Sequence, residues 1–136
     1  MNTFLLKSFY NFMGAVNIGN GIWMLLFAEN WYVNLPGRIE DTGPLNTHFV
    51  HDIGLVYCII GLGAFYCSTK LNNCRAVHIG LLAFMVGHAL IHVVEILIGL
   101  LPPSHWTIDF PLLFAPAILI IAITPSVLKV QKQHSS

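Results

Sequence analysis

Four long apolar stretches alternate with short runs rich in Asn, Pro, Gly and Lys. They cover approximately residues 4–28, 47–68, 76–101 and 109–128. About 20 apolar residues rising 1.5 Å each span the roughly 30 Å hydrocarbon layer of a bilayer. The pattern therefore predicts four transmembrane helices in one all-α domain, an integral membrane four-helix bundle. The breaks between stretches carry helix punctuation. Pro36-Gly37 and Thr42-Gly43-Pro44 redirect the chain after the first stretch, and Asn46 or Thr47 is placed to cap the second. Pro102-Pro103 should stop the third. Pro111 falls in the first turn of the fourth, while Pro116 lies inside it and should kink it. Gly14, Gly19 and Gly21 are small residues through which neighbouring helices can approach in lipid. The first stretch is too long, and ends too apolar, for a cleaved leader, so it is read as a retained span.

Composition agrees with this pattern. Hydrophobic residues make up 56% of the 136 and charged residues only 9%, against about a quarter charged in soluble domains. The net charge is zero, which gives no reason to expect a nucleic-acid partner. The bilayer is the expected partner, and a homo-oligomer is compatible with the length. Of the six Lys and Arg, Lys7, Lys70, Arg75, Lys129 and Lys132 fall on the side shared by both termini, and Arg38 alone on the other. The positive-inside rule then puts the termini in the cytoplasm and the long first connection outside, periplasmic in a bacterial inner membrane. Lys129, Lys132 and His134 read as a solvated tail.

Candidate chemistry enters with Gly87-His88-Ala89-Leu90-Ile91-His92-Val93-Val94-Glu95. At i, i+4 and i+7, His88, His92 and Glu95 share one helical face. Ionisable groups in a membrane helix are costly unless paired and point to function. Counting inward from the outer edge, Glu95, His92 and His88 lie about 9, 14 and 20 Å deep, and His48, His51 and Asp52 about 3, 8 and 9 Å deep. Asn20 and Asn17 fall at about 12 and 17 Å, with Tyr57 in the same layer. Imidazoles and carboxylates converging from facing helices suit Fe, Zn or Cu. His48, His88, His92, Glu95 and Asp52 are the expected metal ligands. Asp52 and Glu95 double as proton-moving catalytic groups, and Asn17, Asn20 and Tyr57 orient ligands or touch a small or lipophilic substrate. This reads as a membrane metalloenzyme, redox ahead of hydrolysis.

Other readings use the same residues. His48 with His88 or His92 could ligate haem b for electron transfer to quinone. The polar layer could instead serve a channel, transporter or accessory subunit. Asp52 could merely pair with His48, and His51 or His78 could bond a backbone carbonyl of a neighbouring helix. Cys58 reads as packing. Cys67 and Cys74, near the cytoplasmic side, read as reduced thiols, with His78 a thin third partner for any metal. His105 and Trp106 read as interfacial.

The runs Gly21-Ile22-Trp23-Met24-Leu25, Trp31-Tyr32, Pro36-Gly37, 42–54 and 88–95 resemble a group of small four-span bacterial membrane proteins related to the BphX-like and DoxX-like families. The likeness covers roughly residues 14 to 99 and matches at His48, Asp52, His88, His92 and Glu95, while His51 stands where a basic residue is expected. It implies four spans and a bacterial inner membrane. The DoxX-like association with quinone or thiosulfate redox chemistry is an expectation carried by the likeness alone.

Overall fold

A computed structural model of the chain describes residues 2–132, so His134 lies outside the described residues. These are all helical or connecting, with no strand among them. Helix α1 spans Thr3–Leu26, α2 Ala28–Asn34, α3 Thr47–Thr69, α4 Arg75–Leu97, α5 His105–Ile108 and α6 Ala115–Lys132. Asn2 and Asn46 cap α1 and α3, their side-chain oxygens accepting from the amides of Phe4 (3.0 Å) and Phe49 (3.1 Å).

Three stretches among the described residues are long and apolar enough to cross a membrane: Thr47–Thr69, Arg75–Leu97 and Phe110–Lys132. Helix α1 is not among them, since Lys7, Ser8, Asn11, Asn17 and Asn20 dilute its apolar face. Large apolar side chains stand exposed along the three, including Leu55, Ile59 and Leu62 on α3, Leu90, Ile91 and Val94 on α4, and Ile118, Leu119 and Ile121 on α6. Exposed apolar surface of this extent is what a lipid environment accommodates.

Helices α1 and α3 pack antiparallel and more closely than ordinary side chains allow. A Cβ on Gly21 would lie 2.5 Å from the Gly54 carbonyl oxygen, and one on Gly61 would lie 2.8 Å from that of Gly14. Gly14 opposite Gly61 and Gly21 opposite Gly54 thus bring the two backbones together at points seven residues apart. Gly19, in contrast, has no neighbour within 4 Å of where its Cβ would be and takes no part. Trp31 on α2 folds back on α1, its indole N–H donating to Asn20 Oδ1 at 2.9 Å, and packs with Met24, Ala28 and Val50 at the C-terminal end of α1.

At the opposite end, Leu6, Tyr10, Met13, Cys67, Leu81, Ile120 and Val127 form the main core. A buried polar chain crosses it. Thr124 donates to the Ile120 carbonyl (2.7 Å), so it accepts from His78 Nε2 (3.0 Å), and His78 Nδ1 in turn accepts from the Tyr10 hydroxyl (2.7 Å). His78 thereby joins α1, α4 and α6 through side chains rather than through a neighbouring carbonyl. Cys67 and Cys74 are buried free thiols in the same region, and the Gln131 amide donates to Cys74 Sγ at 3.4 Å.

Two boundaries differ from the expected ones. Helix α4 stops at Leu97, not at the prolines. Gly99 takes a left-handed conformation (φ 79°), and the amides of Leu100 and Leu101 both turn back to the Glu95 carbonyl, at 2.8 and 3.1 Å. The fourth stretch starts differently as well: α5 precedes a π-helical turn over Phe110–Phe114, in which Phe114 N donates to Asp109 O (3.2 Å), and this turn runs directly into α6. Pro116 follows the widened turn inside this continuous stretch, and Pro125 is a second proline farther along it.

Candidate metal centre

The sharp turn at Gly99 and the prolines that follow deliver α5 beside the C-terminal part of α4. Asp109, one helical turn after His105, is 5% exposed and faces inward. Its Oδ2 accepts from two imidazoles, His92 Nδ1 at 2.8 Å and His105 Nδ1 at 3.0 Å. His105 is fully buried and meets a second carboxylate with its other nitrogen, Nε2 lying 3.2 Å from Asp41 Oδ2. Asp41 belongs to a 3-10 turn over Ile39–Thr42 in the long connection between α2 and α3, and Arg38 pairs with it at 3.1 Å. Arg38 itself has a left-handed backbone (φ 49°), uncommon for a non-glycine residue and here held by that pairing. Tyr32 fixes the far end of the same connection by donating to the Gly43 carbonyl at 2.8 Å.

The result is a chain of alternating charge type, Arg38–Asp41–His105–Asp109–His92, drawn from a loop, a short helix and a membrane-length helix. With a carboxylate at each ring nitrogen, the charged form of His105 can donate at both ends. Among the described residues, His92, His105 and Asp109 are the group whose ligand atoms come together closely enough to hold a metal ion, all within 4.8 Å of one another. One turn along α4, the His88 ring meets that of His92 edge-on, with centroids 5.1 Å apart, and the Tyr57 hydroxyl reaches His88 Nδ1 at 3.4 Å.

No family model, curated protein or solved structure matches the chain. The site is therefore read from its own geometry.

The expected ligands divide accordingly. His92 is in the group, and His88 with Tyr57 lies beside it. His48 and Asp52 are not in it: their side chains are 88% and 62% exposed, and they pair with each other at 3.6 Å on the first turns of α3. Glu95 is half-buried on α4, its side chain has no hydrogen-bond or ion-pair partner among the described residues, and its backbone carbonyl closes the helix instead. Asn17 bonds the Met13 carbonyl of its own helix at 2.8 Å, and Asn20 holds Trp31, so both serve the α1 packing.

Three members of the chain, Asp41, His105 and Asp109, were not among the expected ligands. Asp41 looks like a turn residue and His105 like an interfacial one, while Asp109 sits at the edge of the fourth apolar stretch. The available signal was His105-x-x-x-Asp109, an i,i+4 pair in the short connection that follows the helix carrying His92.

Proposed function

We propose that the protein is a four-span integral membrane protein of the inner membrane, termini cytoplasmic. On this reading its outer face binds one divalent transition metal ion through His92, His105 and Asp109. The single observation that carries the reading is the convergence within 4.8 Å of an imidazole from α4 with an imidazole and a carboxylate from the α5 turn. In a tetrahedral site with metal–nitrogen bonds of about 2.0–2.1 Å, ligand atoms stand roughly 3.3 Å apart. The separations here of 2.8 and 3.0 Å are close to that, so small movements would admit an ion. Two His and one carboxylate are the donor set of non-haem iron oxygenases and, with a catalytic water, of zinc hydrolases. Zinc hydrolysis wants an uncommitted general base nearby. Both carboxylates at this site are engaged, Asp109 with two imidazoles and Asp41 with Arg38 and His105. That favours redox chemistry on a small or lipophilic substrate. Four spans follow if α1, held to α3 through paired glycines, crosses with it.

A second reading is favoured by the completeness of the hydrogen bonding: the same chain of residues can clasp the outer loop to α4 with no ion. Elemental analysis with an absorption spectrum, on protein purified in mild detergent, separates the two. Metal binding predicts about one ion per chain in wild type. That ion should be lost in His92→Ala and in Asp109→Asn and retained in His48→Ala. Trace metal, indifferent to all three substitutions, would leave the clasp.

A further inference from the structure

Charge is segregated end to end. All six carboxylates, Glu29, Glu40, Asp41, Asp52, Glu95 and Asp109, lie at the outer end, and the sequence has no Asp or Glu from 53 to 94 or after 109. At the other end, the connection between α3 and α4 is tied to the last turn of α6 by Gln131 Nε2, which donates to the Leu71 carbonyl at 3.4 Å. Beside that tie is a cleft of about 850 Å³. Its polar lining includes Asn72, Asn73, Arg75, Lys129 and Lys132. Arg75, Lys129 and Lys132 are exposed, and among the described residues the ion pairs made by Lys or Arg involve only Arg38. Three cations thus line one cavity with no Asp or Glu among its described lining residues. Pro125 and Leu128 give the cleft an apolar wall continuous with the membrane-length helix.

The positive-inside rule accounts for cations on this side of a membrane, not for three of them around one cavity. We infer that this cleft is a binding site for a phosphate-bearing anion. Arg75 offers a fork for two oxygens, Lys129 and Lys132 offer point charges, and the two Asn side chains offer neutral donors. In a bilayer the anion at hand is the headgroup phosphate of an anionic phospholipid, and basic pockets between membrane helices recognise such groups. Free phosphate carries the same chemistry. The site is independent of the metal centre at the other end.

The test uses the full chain in mild detergent and follows thermal unfolding during titration with short-chain phosphatidylglycerol, short-chain phosphatidylcholine or inorganic phosphate. Phosphatidylglycerol should raise the unfolding temperature saturably, and phosphatidylcholine should not. The combined change Arg75→Gln, Lys129→Gln and Lys132→Gln should weaken the phosphatidylglycerol midpoint by at least about tenfold. The control Lys7→Gln with Lys70→Gln removes charge from the same end outside the cleft and should shift it by less than about twofold. If inorganic phosphate protects in the millimolar range and competes with the lipid, the site takes free phosphate; if only the lipid protects, it takes the headgroup. Equal response to the two lipids without response to phosphate, or equal loss in the two variants, overturns the site.

Discussion

His48-x-x-x-Asp52 and His105-x-x-x-Asp109 are one motif in two settings. The first pair stands on the surface, 88% and 62% exposed and 3.6 Å apart. The second is buried, 0% and 6% exposed and 3.0 Å apart. Helical spacing brings both pairs together, so spacing alone makes only a pair. What makes the second a site is its company, because Asp109 also takes His92 and His105 also takes Asp41. An exposed ion pair is worth about 0–1 kcal/mol, whereas removing one member of a buried pair costs about 3–5 kcal/mol because the partner is stranded.

The comparison breaks most sharply at the carboxylates. Asp109→Asn should lower stability by about 3 kcal/mol, read by thermal unfolding in detergent. Asp52→Asn should leave the unfolding temperature where it was, and equal responses would erase the distinction. His105→Ala comes next, at about 2 kcal/mol, since it leaves Asp41 and Asp109 without their shared donor. The smallest effect is Arg38→Ala, about 0.5 kcal/mol, because its pairing with Asp41 is partly exposed.

Much of the fold could be read from periodicity and punctuation. The apolar stretches, the cap at Asn46 and the close approach at Gly14 and Gly21 each follow from local chemistry that the folded chain preserves. The early stop of α4 is legible in hindsight as a Gly99 C-cap, but two prolines three residues later are a louder signal. The site was legible on one side only. His88 and His92 announce themselves as polar groups within an apolar helix. Their partners do not, because Asp41 and Asp109 sit where acidic residues are ordinary, in a turn and at a helix edge. Only the return of α5 against α4 gives them a role, and that return is a tertiary event. Order along a helix follows from rise per residue, but the face a residue takes does not, and His48 stands exposed where His92 is mostly buried.

The close glycine contacts between α1 and α3 leave little room for those helices to slide, since a shift by one residue would drive side chains into backbone. The α4–α6 half is fastened to this rigid unit near its two ends by polar rivets, Tyr10–His78–Thr124 below and Asp41–His105 above. The lower rivet lies in the buried core; the upper holds a loop whose Tyr32, Leu35, Ile39 and Leu45 pack on the cluster of Met24, Trp31 and Val50. Losing the Asp41 contact would therefore uncover His105 and leave the Tyr10–His78–Thr124 chain untouched.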